Sequence, residues 1–350
     1  MTKPIGLSLV GCGQIARSHL EAIRRTEPAV RLINTVDVDP ERAKQFAQAH
    51  GSAAWETDYH RAFAHPEVEA AILCLPHHLH APVAIAAADA GIHVLCEKPL
   101  ALNADEGRSM VARFRQAGRR LMVGHSRRFC AEAYRVREIV QRGELGTILH
   151  VQSSYLTYIK QASTPWRRVN AEAGGYLIPI FGTHLIDFIL WATGFQPVRV
   201  YCQATSHRGD WEGEDEAAIL LTLSDASGRS VPATVTISAN CRLQGERSQR
   251  RDELIIAGRE HTLRYSLGEG VFIDGEPLAV PSAHVPPPSN FTLQLQEFVA
   301  AIREDREPVS SGVEAARVMD VLDACHLSSR THEPVALVAD RRADAPKESC

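Results

Sequence analysis

The 350-residue sequence has no long Lys/Arg block, no continuous run of about 18 apolar residues and no C-x-x-C pair. Because adjacent arginines occur as isolated pairs and the formal net charge is −4, no nucleic-acid surface is predicted. The absence of a signal-peptide pattern and of a membrane span predicts a cytoplasmic protein without a membrane partner. The eight cysteines are scattered and without zinc-site spacing, which predicts reduced, buried thiols.

Strand-like and helix-like segments alternate from residue 5 to about residue 123. Apolar runs at 30–36 and 93–96 indicate buried strands, and helical patterns end at Gly91 and Gly118. This rhythm is typical of a doubly wound parallel sheet. Since 350 residues are enough for two hydrophobic cores, we predict an α/β fold whose first domain covers residues 1–123.

The pattern changes after Gly124. Six segments alternate apolar and polar residues, as strands with one covered face do: 147–158, 199–205, 217–223, 231–239, 252–257 and 261–265. Helical patterns accompany them at 131–142, 290–303 and 312–330. We predict an α+β second domain over 124–338 with a largely antiparallel, open-faced sheet, and a tail over 339–350. The uncovered face predicts a homodimer or homotetramer.

A glycine turn follows the first apolar strand. The pattern G-x-G-x-x-A runs from Gly11 to Ala16. Gly11 permits a tight strand-to-helix turn, Gly13 lets the backbone approach a pyrophosphate, and the helix N-terminus faces the phosphate charge. These features predict a dinucleotide-binding Rossmann domain in which four residues contact the ligand: Gly11, Gly13, Gln14 and Ile15.

A carboxylate follows the second apolar strand. Asp37 lies roughly 20 residues after the glycine turn, where the dinucleotide fingerprint places an acidic residue on the ribose hydroxyls. Because a carboxylate would repel a 2′-phosphate, the cofactor is predicted to be NAD, with NADP less favoured.

The segment Cys96-Glu97-Lys98-Pro99 ends the fifth strand-like run. In an open α/β sheet, ligands bind outside the carboxyl ends of the strands. We therefore expect the Lys98 ammonium to lie where the nicotinamide ring and the substrate meet, with a cis peptide as one way for Pro99 to fix the turn. The alternative is a surface lysine in an ordinary loop.

A second candidate segment runs from Gly174 to Asp187 and indicates a glycine-marked loop leading into a helix. Its His184 is flanked by apolar residues, and an imidazole with a pKa near 6.5 suits a general base. A buried structural histidine is the competing interpretation.

Together these segments resemble the Gfo/Idh/MocA family (glucose-fructose oxidoreductase, inositol dehydrogenase and rhizopine catabolism) over most of the chain. The residues that carry the resemblance are Gly11-x-Gly13-x-x-Ala16, Cys74-Leu75-Pro76 with Leu79-His80-Ala81, Gly91-x-His93-Val94-x-x-Glu97-Lys98-Pro99, Arg128-Phe129, Gly143-Glu144-Leu145-Gly146 and Gly182-x-His184-x-x-Asp187.

The resemblance implies NAD(P)-dependent hydride transfer at a carbon of a sugar, cyclitol or related polyol. It implies that Lys98 polarises the hydroxyl, that His184 is the acid/base, and that subunits associate through the open face of the second sheet. Further cofactor contacts are then expected from Leu75, Pro76, His80, Glu97 and Lys98. Substrate contacts are expected from Lys98, Arg167, Tyr176, Ile180 and His184.

The chain departs from the family pattern at three positions. Ile180 stands where the family usually has Asp, one helical turn before His184, Tyr176 replaces the third loop glycine, and Val169 stands where many members have Asp. Two alternatives therefore stay open. One is an NAD-dependent glycoside hydrolase without net cofactor turnover, and the other is a non-catalytic NAD-binding regulatory protein.

The three histidines His77, His78 and His80 suggest a metal site, but their spacing matches known sites poorly and no carboxylate or cysteine is close in sequence. We predict no metal.

Overall fold

The computed structural model describes residues 3–50, 54–243, 250–280 and 289–337. Six strands form the N-terminal sheet: β1 (Ile5–Val10), β2 (Val30–Val36), β3 (Ala54–Glu56), β4 (Ala70–Leu73), β5 (His93–Cys96) and β6 (Leu121–Val123). All its pairs are parallel, and the order is β3-β2-β1-β4-β5-β6. The predicted doubly wound sheet is confirmed, and the strand order reverses between β1 and β4, where α/β folds bind ligands.

Helices accompany the strands of this sheet, whose central strand β1 is buried along all of its length. They are α1 (Ala16–Thr26), α2 (Pro40–His50), α3 (Tyr59–Phe63), α4 (His80–Asp89) and α5 (Ala104–Ala117). The Asn103 side chain caps α5 by accepting from the Glu106 N–H at 2.9 Å, and the helix ends at Gly118 with φ 62°. The end at Gly118 was predicted from the sequence.

A second sheet of nine strands forms the C-terminal part. Its members are β7 (Ile148–Thr157), β8 (Gln196–Thr205), β9 (Glu216–Ser224), β10 (Ser230–Ser238), β11 (Arg250–Gly258), β12 (Thr262–Ser266), β13 (Gly270–Ile273), β14 (Glu276–Leu278) and β15 (Val335–Ala336). The order is β14-β13-β12-β11-β7-β10-β9-β8-β15, and every pair is antiparallel except β7 with β10. The predicted, largely antiparallel sheet is confirmed. Its strands β13 to β15 were not predicted, because segments of two to four residues carry too little periodicity.

The remaining helices follow β6 in the chain. They are α6 (Ala131–Gln141), α7 (Asn170–Ala173), α8 (Thr183–Thr193), α9 (Asn290–Arg303) and α10 (Gly312–Thr331). Leu295 and Phe298 of α9 join the apolar cluster that α1 forms with β1, so the chain returns to the first sheet. Helix α10 packs against both α5 and β8. The predicted tail at 339–350 lies outside the described residues.

One helical stretch is long and apolar. It spans Asn170–Thr193, and its most apolar window has a mean hydropathy of 1.4. Because 78% of that window is buried inside the protein, its composition is that of a core helix. Within it, residues Ile178–Gly182 form a π-helical turn directly before α8.

Candidate active site

The carboxyl ends of the parallel strands bring the predicted residues to one edge of the first sheet. Gly11 follows β1, Asp37 follows β2, Leu75 follows β4, Lys98 follows β5 and His125 follows β6. Since the strands are parallel, all five positions lie along the carboxyl edge of the sheet. The strand order reverses between β1 and β4 at this edge, where α/β folds bind ligands.

The glycine turn has the geometry that a bound pyrophosphate requires. Gly11 has φ 88°, and a Cβ there would lie 2.4 Å from the Cys74 carbonyl oxygen, so only glycine fits. A Cβ at Gly13 would meet no protein atom within 4 Å, which leaves open space at the turn. Helix α1 begins without a side-chain cap and without an acidic residue in its first turn, and Gln14 and Ile15 are exposed there. These features fit a dinucleotide phosphate at the helix N-terminus.

The Asp37 carboxylate is anchored to this turn. Its Oδ2 accepts from the Cys12 N–H at 2.9 Å, its Oδ1 accepts from the Asp39 N–H at 3.0 Å, and the side chain is buried. The Arg42 guanidinium lies 3.6 Å from Oδ1 and is half exposed. The structure places it beside the carboxylate that would contact the ribose.

His80 links two loops at the carboxyl edge of the first sheet. Its Nδ1 lies 2.8 Å from the Pro99 carbonyl oxygen and its Nε2 lies 3.0 Å from the Leu75 carbonyl oxygen. The ring is fully buried at 0% exposure, and burial lowers its pKa while the two carbonyls act in the opposite direction. His80 therefore fixes the loop at Leu75-Pro76 against the loop at Lys98-Pro99, whose peptide bond is cis.

Glu97 is a buried carboxylate beneath the site. Its Oε1 lies 2.8 Å from the Nε2 of His19 on α1, and its Oε2 accepts from the Lys98 N–H at 3.2 Å. Burial acts to raise the pKa of Glu97, but the hydrogen bond with His19 and the neighbouring Lys98 charge keep it below its ordinary value. A Cβ at Gly124 would lie 3.1 Å from this carboxylate, so the glycine leaves room for it.

The Lys98 side chain reaches from the first sheet to the second domain. Its Nζ donates to the Ile180 carbonyl oxygen at 2.9 Å. Burial lowers the pKa of Lys98 to about 8, which Glu97 partly opposes. Among the described residues, no carboxylate forms an ion pair with this ammonium, so it can donate to a ligand hydroxyl.

His184 is the second residue of α8 and directly follows the π-helical turn Ile178–Gly182 and Thr183. Burial, followed by the nearby Lys98 ammonium, lowers the pKa of His184 well below its ordinary value. Its Nδ1 is buried and has no hydrogen-bond partner within the described ranges. The imidazole is therefore neutral at pH 7, and its buried Nδ1 remains available to a ligand.

The other three residues predicted to contact the substrate differ in their burial and in their partners. The Ile180 side chain is buried at 3% exposure, and the π-helical turn means that the i, i+4 relation of a regular α-helix does not apply between Ile180 and His184. Tyr176 is buried and stacks on Trp211, with ring centroids 4.2 Å apart. Arg167 is partly buried, and it donates to the Ser163 hydroxyl at 2.7 Å.

Sequence reasoning did not single out His125 or Arg127, which both act electrostatically on His184. Burial lowers the pKa of His125 to about 4, and its Nδ1 lies 3.5 Å from Asp187. Arg127 forms a bidentate ion pair with Asp252, at 2.9 and 2.7 Å. The position of His125 in the sequence could have identified it as a site residue, because it follows β6 just as Lys98 follows β5.

The Asp187 carboxylate does not serve as a partner for His184. It accepts two hydrogen bonds from the Arg128 guanidinium, at 3.0 and 2.5 Å, and both side chains are buried. Arg128 also donates to Glu314 of α10 at 2.8 Å, which ties the site to that helix.

The structure gives the three clustered histidines backbone partners. His77 Nδ1 lies 2.7 Å from the Ala173 carbonyl oxygen, and His78 Nδ1 lies 3.4 Å from that of Glu172. Within the described ranges no group of three or more potential metal ligands converges.

Family models match both parts of the chain. Residues 5–125 match the oxidoreductase family with an NAD-binding Rossmann fold, and residues 134–264 match the GFO/IDH/MocA C-terminal domain.

Individual proteins show the same relationship. The chain is 28% identical to 4-carboxy-2-hydroxymuconate-6-semialdehyde dehydrogenase of Sphingobium sp. strain SYK-6, over 90% of this chain and 94% of that protein. It is 26% identical to D-apiose dehydrogenase of Paraburkholderia graminis, over 97% of this chain and 91% of that protein. The fold is similar to the crystal structure of the WlbA dehydrogenase from Bordetella pertussis in complex with NADH and UDP-GlcNAcA, with a TM-score of 0.83. The match has 25% sequence identity and covers 96% of this chain and 100% of that chain. The chain therefore belongs to the GFO/IDH/MocA family of NAD-binding oxidoreductases, as its glycine turn and its Glu97-Lys98-Pro99 segment indicate.

Proposed function

We propose that this protein oxidises or reduces a carbon of a sugar, cyclitol or related polyol derivative, with Lys98 and His184 as its catalytic residues. The observation that carries the proposal is their shared location. The Lys98 Nζ donates to the Ile180 carbonyl within the helical stretch that positions His184, and Lys98 is the nearby charge that most strongly lowers the pKa of His184.

The cofactor fits at the neighbouring glycine turn. Gly11 and Gly13 would leave room for its pyrophosphate, Asp37 would accept from its ribose hydroxyls, and the loops that His80 joins would lie beside its nicotinamide ring. NAD supplies the hydride acceptor or donor when it is bound.

The two catalytic side chains have different roles toward the reacting hydroxyl. In the oxidation direction, the Lys98 ammonium donates a hydrogen bond to the reacting hydroxyl and so stabilises negative charge on its oxygen. His184, neutral at pH 7, accepts the hydroxyl proton. His125 lies nearby, and its depressed pKa means that it adds no second positive charge.

A screen of polyols, sugars and sugar acids with both NAD and NADP, followed at the absorbance band of the reduced nicotinamide, tests this proposal. We expect substrate-dependent NADH formation that is lost in Lys98→Ala. Glycoside cleavage without net NADH formation would instead support the hydrolase. A protein that binds NAD but transforms no member of the panel would support the regulatory alternative, to which the replacement at Ile180 points.

A further inference from the structure

The chain segment from Tyr158 to His184 carries more positive than negative charge. Between Tyr158 and His184 the sequence has one acidic residue, Glu172, against three basic residues, Lys160, Arg167 and Arg168. The two positions at which a carboxylate would compensate most directly, 169 and 180, carry Val and Ile.

The carboxylates close to the site are already engaged, including Glu214, whose Oε1 accepts from the Ile178 N–H at 2.7 Å. Asp187 accepts two hydrogen bonds from Arg128, Asp252 accepts two from Arg127, and Glu97 is hydrogen-bonded with His19 beneath the site. The charges of Arg127 and Arg128 are thereby matched by carboxylates.

Two cations have no such partner in the part of the chain that the structure describes. Lys98 donates to a neutral carbonyl, and Arg167 donates through Nη1 to the Ser163 hydroxyl. The Arg167 Nε is buried and has no hydrogen-bond partner among the described residues. A buried donor without an acceptor is destabilising, so an acceptor supplied by a ligand would stabilise this arrangement.

Arg167 is also held in place and lies near Lys98. Its guanidinium lies 5.2 Å from the Trp166 ring, and that ring packs edge-on against His77 at 4.6 Å. The His77 ring in turn lies 5.8 Å from the His80 ring, and His80 Nδ1 lies 2.8 Å from the carbonyl oxygen of Pro99, the residue after Lys98. A guanidinium fixed by stacking presents its planar donors to a carboxylate with little loss of entropy.

We propose that the substrate of this site is a carboxylate, a sugar acid or cyclitol acid whose anionic group is bound by Arg167 while Lys98 holds the reacting hydroxyl. This inference rests on the proposed function and adds the substrate class to it. A carboxylate supplies the missing acceptor for Nε and the missing negative charge at once.

Calorimetric titration of the NAD-loaded protein with matched acid and neutral compounds tests the proposal without depending on turnover. The pairs are D-glucuronate with D-glucose, D-galacturonate with D-galactose, and quinate with myo-inositol. We expect at least one acid to bind about ten-fold or more tightly than its neutral counterpart, and this preference to weaken as salt is added. Equal affinity within every pair would overturn the proposal.

Variants assign the effect to Arg167. Arg167→Gln is expected to remove the preference for the acid with little change for the neutral compound, and the exposed neighbour Arg168→Gln is the control. A preference that persists in Arg167→Gln would overturn the role of this residue.

A second, charge-only comparison uses Val169, which is half-buried and is the N-cap residue of α7 without a side-chain cap. Both Asp and Asn are favoured at such positions, so both variants should fold. Val169→Asp is expected to weaken acid binding about ten-fold relative to Val169→Asn. Equal affinities in the two variants would contradict an electrostatic origin.

The outcomes separate the two proposals. NADH formation from neutral sugars combined with no preference for acids would retain the proposed function and overturn the carboxylate. Arg167-dependent binding of an acid without NADH formation from any compound would retain the carboxylate and overturn the proposed function. Tighter binding of glucose 6-phosphate than of glucuronate would overturn the carboxylate in favour of a phosphate group.

Discussion

The Lys98 ammonium donates a 2.9 Å hydrogen bond to the backbone carbonyl of Ile180. Its acceptor is a neutral backbone group, and Ile180 is the residue that the family resemblance matches with an aspartate. The contact also joins the turn after β5 to the π-helical turn before α8.

NAD should bind more tightly than NADP. The Asp37 carboxylate, held by the Cys12 N–H, can accept from ribose hydroxyls but would face a 2′-phosphate at close range. The neighbouring Arg42 offsets part of this repulsion, so Arg42→Ala should widen the preference and Asp37→Ala should narrow it. Fluorescence titration with both cofactors measures these effects, and a lower dissociation constant for NADP in the unmodified protein would show that the assignment is wrong.

Lys98→Ala should lower kcat by about 100-fold or more while leaving the dissociation constant of NAD nearly unchanged, because the ammonium acts on the reacting hydroxyl. Lys98→Met, which keeps the apolar stem and removes the charge, is the matched control and should be equally inactive. Steady-state kinetics and NAD titration of each variant test this. An active Lys98→Ala protein would remove the residue from the mechanism.

The pH profile of kcat/KM should be flat across neutral pH and fall on both sides. Lys98 must keep its proton to donate to the hydroxyl, so activity should fall as the pH rises through about 8. His184 must be unprotonated to accept a proton, and its lowered pKa places the acid limb well below pH 6.5. His184→Ala should lower the rate and lose the acid limb, and full activity in that variant would refute the role of the histidine.

Myo-inositol and glucose should be poor substrates. No carboxylate is present at position 180 to pair with a hydroxyl, and an unpaired polar group costs roughly 1–3 kcal/mol, or about ten-fold to a hundred-fold in kcat/KM. A substrate that is less hydroxylated, or that carries an apolar or N-acyl group at this point, should react faster. Efficient turnover of myo-inositol or glucose by the unmodified protein would contradict the prediction.

The protein should form a homodimer or homotetramer through the outer face of the second sheet. Tyr201 and Leu220 lie opposite each other on β8 and β9 and are 36% and 49% exposed. Two neighbouring apolar side chains on an uncovered sheet face favour association. Leu220→Arg should shift the sedimentation coefficient toward the monomer, whereas Leu327→Arg, at a 41% exposed position on α10, should not. A monomeric unmodified protein at micromolar concentration would count against this interface.

The first sheet and the glycine turn were determined by local sequence. Alternating strands and helices require a parallel sheet, and Gly11 can only be glycine, because its φ of 88° and its 2.4 Å approach to the Cys74 carbonyl exclude a side chain. Asn103 and Gly118 likewise fixed the ends of α5, because capping depends on residues within one turn. Local residues also placed Lys98 at the carboxyl edge, since each parallel strand ends there.

The charge balance of the site was decided by tertiary structure alone. Arg127 and Asp252 are distant in sequence, as are Arg128 and Asp187, and only folding shows that these cations are matched by carboxylates while Arg167 has none among the described residues. The link from His80 to two loop carbonyls and the contact from Lys98 to Ile180 likewise join separate segments. Sequence periodicity reports which face of an element is buried, but the partner of a buried polar group depends on which elements pack against each other.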